Sequence, residues 1–179
     1  MYLQGHETER LKFEPIKHED AKIWETYFVN NSNLEYLGLE LISDIPLQAK
    51  EWVGFQLKRY EEDRFGLHAI IDKATNSYIG HVGLITQNIN NTLELEVGYH
   101  ILPEHWRKGY ASEAALYCMK YGFENTDFDS IISVIQVDNI GSQKVARNNG
   151  LKVDESIQFH GLECEIFRIY KNDWNTKEI

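Results

Sequence analysis

The chain has 179 residues, 42% hydrophobic and 26% charged, enough to bury the core of one globular domain. Its net charge of −10 argues against nucleic acid as a partner, since neutralising phosphates takes a basic face; the acidity either attracts a cationic amine or simply keeps the surface solvated. Apolar runs are too short to cross a bilayer and MYLQGHETER lacks the apolar centre of a secretory signal, so the expected location is the cytoplasm, with no membrane partner.

Taken in order, Glu9 to Pro15 alternates Leu11 and Phe13 with charged residues and predicts a first strand. His18-Glu19-Asp20 opens a helix, its acids at the positive end of the dipole, with Ile23, Trp24, Tyr27 and Phe28 as its apolar stripe. Asn30 to Asn33 is a break. Ser43-Asp44 before Pro46 starts a second helix. Trp52, Val53, Phe55 and Tyr60 are expected inside, with Lys58, Arg59 and residues 61–64 outside. Trp24 and Trp52 read as core packing. Gly66–Asp72 and Tyr78–Thr86 form a hairpin, Asn88–Asn91 a turn, and Leu93 begins a central strand. Ile131–Val137 is almost wholly apolar, as in a strand covered on both faces. Following a helix from the central strand, it should run parallel to that strand. Asn139–Asn148 is a short helix closed by Asn149-Gly150. Val153–Phe159 and Glu163–Tyr170 form a last hairpin, and Lys171–Ile179 reads as a loose tail. The expectation is a single α+β domain over residues 8–171, with tails at 1–7 and 172–179.

The centre of this plan runs from Leu93 to Glu124. Leu93, Leu95, Val97, Tyr99 and Ile101 alternate with Glu94, Glu96, Gly98 and His100, so each set lines one face. Pro103 stops the strand. Gly109 then opens a breaker-free helical run from Tyr110 to Phe123. Strand, glycine loop and helix together present backbone N–H groups and a helix N-terminus to an anion, with Arg107 and Lys108 adding charge. No Gly-x-x-x-x-Gly-Lys-[Ser/Thr] occurs, and Arg107 and Ser112 stand where a dinucleotide fingerprint needs glycine.

This segment resembles the acetyl-CoA loop [Gln/Arg]-x-x-Gly-x-[Gly/Ala] of the GNAT N-acetyltransferase superfamily. Trp106 replaces the opening Gln/Arg, followed by Arg107, Lys108, Gly109, Tyr110 and Ala111. With "EVGY" upstream and "GYASEA" downstream, it is similar to the RimJ/RimL branch of ribosomal-protein N-terminal acetyltransferases, and "ETERLKFEPIKHEDA" resembles that branch's opening. The resemblance implies the GNAT fold, a mixed, mostly antiparallel sheet of about seven strands with four helices. Its fourth and fifth strands splay around the pantetheine arm. It implies acetyl transfer from acetyl-CoA to a primary amine by direct attack in a ternary complex. The acceptor would be a protein N-terminus or a small cationic amine such as a polyamine or aminoglycoside. The alternative is a non-catalytic acyl-CoA-binding module on the same fold.

The chemistry needs a bound donor, a free amine, a polarised carbonyl and a proton for the thiolate. At pH 7 only about one lysine amine in two thousand is uncharged, and roughly one α-amine in ten, so a base is needed. By resemblance this is Glu96, with Glu94, two residues away on the same face, as its rival. The donor's phosphates would meet the amides of Arg107, Lys108, Gly109, Tyr110, Ala111 and Ser112. Main-chain amides around Ile101 would hold the carbonyl. Asn139 and Ser142, in a motif like the family's Asn-x-x-Ser, would hold the pantetheine; Ser142 would orient a water or the sulfur. Either residue could instead cap the helix. The family's usual proton donor, a Tyr, is here Ala146. Lys144 and Arg147 would meet the 3′-phosphate of CoA or stay exposed. His81 and His100 read as packed and hydrogen-bonded. Cys118 and Cys164 read as buried thiols, no cluster suggests a metal, and the chain reads as a monomer or homodimer.

Overall fold

The computed structural model describes residues 2–29, 31–62 and 64–175. Among the described residues seven strands form one sheet: β1 (Leu11–Glu14), β2 (Leu67–Asp72), β3 (Tyr78–Ile89), β4 (Thr92–Ile101), β5 (Ser130–Gln136), β6 (Lys152–Phe159) and β7 (Leu162–Tyr170). Their order across the sheet is β1-β2-β3-β4-β5-β7-β6. Every neighbouring pair is antiparallel except β4 and β5, which are parallel and in register only at Glu96 and Ile132. The β3–β4 hairpin turns on Asn90 and Asn91, both at positive φ, as a two-residue turn matched to strand twist requires.

Among the described residues five α-helical segments accompany the sheet: α1 (Ala21–Trp24), α2 (Ile45–Glu61), α3 (Tyr110–Asn125), α4 (Ile140–Asn148) and α5 (Lys171–Asn175). On one face α3 packs Ala114, Ala115, Cys118, Met119 and Phe123 against strand residues including Leu84, Leu95, Val97 and Ile131. Gly122 keeps this contact close, because a Cβ there would lie 3.0 Å from Ile131 Cδ1. The opposite face carries Trp24, Tyr27, Val53 and Leu102 under α1 and α2. Asp44 caps α2, accepting from Leu47 N at 3.0 Å. Both cysteines are free and buried.

Several expectations about side-chain placement change. The first helix is α1 flanked by 3₁₀ turns at His18–Asp20 and Glu25–Phe28. Tightening the period at both ends leaves Ile23 exposed beside buried Trp24, Tyr27 and Phe28. On α2 the inward row passes Ala49, Val53, Gln56 and Arg59, so Phe55 is exposed and Arg59 buried, its Nε donating to Phe65 O at 2.7 Å. In the expected outer run 61–64, Asp63 lies outside the described residues, as does Asn30 in the predicted break. The ends are tied down where tails were expected. Leu3 and Trp174 are buried, and Trp174 sits 5.4 Å from the Phe123 ring; residues 176–179 lie outside the described residues.

Candidate active site

The sheet opens where β4 and β5 diverge beyond Glu96. Leu102 N donates to Ile79 O at 3.0 Å, so the neighbouring pair Gly80–Ile101 is a non-hydrogen-bonded one and the Ile101 amide points away from β3, toward the gap. The Ile101 carbonyl, on the same side, accepts from Trp106 Nε1 at 2.7 Å. Glu96 turns into the gap, and its Oε1 accepts from Val134 N of β5 at 3.0 Å. A carboxylate thus takes a backbone donor at the mouth of the splay. Its Oε2 is buried with no hydrogen-bond partner among the described residues. Burial pushes Glu96 up to about 7, against the pull of the Val134 amide, Gln87 and Arg59. Glu94 has another fate: Arg168 Nη1 and Nη2 each donate to it at 2.9 Å, a fork that also binds Asp154 and Ser130. The rival base is held in an ion pair.

A cavity of about 900 Å³ passes through this opening. On the α3–α4 side it is lined by Arg107, Gly109, Tyr110, Ala111, Ser112, Asn139, Ser142 and Lys144. Arg107 and Gly109 both adopt positive φ; this bends the chain so that α3 starts without a side-chain cap, leaving first-turn N–H groups open. Arg10 braces the loop from β1's approach. Its Nη1 donates to Lys108 O at 2.9 Å, its Nε to Glu113 at 2.6 Å, and its guanidinium stacks on Tyr110 at 4.7 Å. Lys108 itself is exposed and outside the lining. Asn139 caps α4, accepting from Ser142 N at 3.1 Å, and both residues also line the cavity; the capping and lining roles coexist. Arg147 turns away, onto the Phe167 ring. Ala146 is buried in the core and off the cavity.

On the other side of the sheet the lining comes from Tyr27, Ser32, Asn33, Tyr36, Leu37 and, on β4, Gly98 and His100. His100 Nδ1 lies 3.2 Å from the Tyr27 hydroxyl; burial brings it down to about 4, so the ring is neutral. His81 is packed, accepting from Trp52 Nε1 at 3.0 Å and stacked on Trp24 at 3.7 Å.

Tyr99 was not singled out by sequence reasoning. Its side chain lines the cavity on the α4 side, and its hydroxyl donates to Ser142 O at 2.9 Å, with burial raising its pKa. Its alternation with Gly98 and His100 in the strand and its place at the end of "EVGY" are the local signals it carried; Tyr36 carried none. Chemically, the opening joins an uncapped helix start, a backbone donor, a buried phenol and a buried carboxyl whose pKa is raised to about 7. Among the described residues no group of His, Cys, Asp and Glu is arranged to hold a metal.

Comparison with known proteins gives the following. Residues 10–152 match the acetyltransferase (GNAT) domain family. The uncharacterized protein YkkB of Bacillus subtilis is 32% identical over 111 residues, 62% of this chain and 64% of YkkB. The uncharacterized N-acetyltransferase YoaA of the same organism is 32% identical over 148 residues, 82% of this chain and 81% of YoaA. Among solved structures, RimL, a ribosomal L7/L12 alpha-N-protein acetyltransferase in complex with coenzyme A, superposes with a TM-score of 0.71 at 14% identity, covering 96% of this chain and 98% of RimL.

Proposed function

The chain belongs to the GNAT acetyltransferase family, and on that footing we propose that it moves an acetyl group from acetyl-CoA to a primary amine by direct attack in a ternary complex. The observation that carries this reading is the cavity through the β4–β5 opening, which joins the uncapped start of α3 to buried Glu96.

In this reading the pyrophosphate lies on the amides from Arg107 to Ser112, with the helix dipole and the Arg107 charge behind them. Lys108 contributes its backbone and a solvent-screened charge. The pantetheine arm follows the opening past Asn139 and Ser142, and Lys144 faces the CoA phosphates. The Ile101 amide is directed at the thioester oxygen, where a backbone donor is worth ~3 kcal/mol as charge develops. Glu96 takes a proton from the incoming ammonium. The free amine then attacks the carbonyl carbon, forming the C–N bond and moving an electron pair onto oxygen. Collapse breaks the C–S bond. The sulfur receives a proton from the Tyr99 phenol, which Ser142 positions, and the proton left on nitrogen returns through water to the phenolate.

A RimJ/RimL-like donor loop, carried by Trp106 to Ala111, and a cytoplasmic setting belong to the same proposal; the likeness concerns the donor side and does not extend to the acceptor. The decisive experiment is calorimetric titration with acetyl-CoA, followed by thiol release in the presence of amines. Micromolar binding with amine-dependent release of CoA supports the reading. Absence of binding refutes the loop assignment, and binding without turnover favours a non-catalytic module.

A further inference from the structure

Resting on the acetyltransferase reading above, we propose that the acceptor subsite takes a small primary monoamine with an uncharged aromatic or apolar body, and excludes polycations and polypeptide N-termini. The two halves of the cavity lie on opposite faces of the sheet, and their walls differ in chemistry. The donor half carries Arg107 and Lys144. The acceptor half is walled by Tyr27, Asn33, Tyr36, Leu37 and His100, none of them charged once His100 is neutral. Among the described residues that line the cavity, the acids are Glu96 and Asp138. Asp138 lies two residues before α4, next to the Asn139 cap on the donor side. One ammonium therefore meets one carboxylate, beside rings that can pack an apolar body. The further ammonium groups of a polyamine or aminoglycoside would face Tyr, Asn and Leu side chains without a counter-charge, which is costly away from water. A free amino acid fares no better, because its carboxylate would meet no cation in this half.

The wall is also pinned at both ends. Asn31, itself buried, donates to Tyr27 O at 3.0 Å and accepts from Asn33 N at 2.9 Å. Gln48 of α2, also buried, accepts from Ile42 N at 2.7 Å. Between these two pins the chain makes a 3₁₀ turn at Leu34–Leu37 that packs against β5. It ends at Gly38, where a Cβ would stand 2.8 Å from His160 Cβ in the β6–β7 turn. The segment thus bridges to the far hairpin across the acceptor end of the cavity. A peptide chain trailing from its α-amine would have to part this contact; a small amine would not.

The test measures CoA release from acetyl-CoA with 2-phenylethylamine, spermidine, an aminoglycoside and an octapeptide with a free N-terminal alanine. Phenylethylamine should exceed each of the others in kcat/KM by tenfold or more. Tyr36→Ala should raise KM for phenylethylamine about tenfold. In calorimetry on the CoA-loaded protein, wild type should bind phenylethylamine and Tyr36→Ala should bind it about tenfold more weakly. Preference for spermidine, the aminoglycoside or the peptide overturns the proposal, as does an unchanged KM in the Tyr36 variant. If acetyl-CoA binds and none of these amines is acetylated, the transferase reading itself fails, a result distinct from acetylation of the wrong class.

Discussion

Replacing Glu96 by Gln tests the base and its environment together. The carboxyl is buried, holds the Val134 amide through Oε1, and has an Oε2 unpartnered among the described residues. Its folded value of about 7 lies above the ordinary 4.5 of a glutamate side chain, so between those limits the folded protein binds more protons than the unfolded chain. Stability then falls as pH rises through this window. At about 1.4 kcal/mol per unit the charged side chain costs on the order of 3 kcal/mol above pH 7, and nothing below pH 4.5. Gln has the same shape, keeps an oxygen for Val134 and never ionises. Urea unfolding should therefore find Glu96→Gln close to wild type at pH 4.5 and more stable by on the order of 3 kcal/mol at pH 8. In the same variant, kcat/KM should fall by roughly 10²–10⁴ and the acidic limb near pH 7 should vanish. Glu94→Gln is the control: it breaks the Arg168 fork and destabilises at both pH values while retaining the limb. A stability difference between Glu96→Gln and wild type that is the same at pH 4.5 and 8 would refute the raised value, and an unchanged rate would refute the base.

Tyr99→Phe removes the phenol proton and the bond to Ser142 O. It should lower kcat about 10²-fold and raise the thiol pKa of bound CoA, read by thiolate absorbance; equal kcat in the two proteins would sink the assignment. Gly109 sits at φ +82, with Arg10 Nη2 3.3 Å from any added Cβ. Gly109→Ala should cost about 1–2 kcal/mol and weaken acetyl-CoA binding in calorimetry, whereas tight binding would show that the turn does not hold the phosphates. Trp174→Ala empties a buried site against Phe123 and should lower unfolding free energy by about 3–5 kcal/mol. A loss under 1 kcal/mol would mean the segment is only loosely attached.

The element order and the strand–loop–helix centre were legible in the chain because they rest on local chemistry. Period-two alternation placed β4, Pro103 stopped it, and Gly109 supplied the positive φ that starts α3. The approximate bounds of all seven strands came from the same signals. What the sequence left open was which partner stands opposite each side chain. Glu94 and Glu96 share a face and a chemistry; the register with β5 and β7 gives one of them Arg168 and the other Val134 N. The burial of Arg59, Trp174 and Leu3 likewise needed the packed neighbours, since a charge or a terminal position reads as exposed until the neighbours are in place. The acceptor wall is the furthest from local reading. Tyr27, Tyr36 and His100 line one cavity only when Tyr27 reaches His100 of β4 and the turn at Leu34–Leu37 packs against β5 and the β6–β7 turn. Backbone preference is set within a few residues, whereas ion pairing, burial and cavity shape are set between residues distant in sequence, by how the strands register and the helices pack.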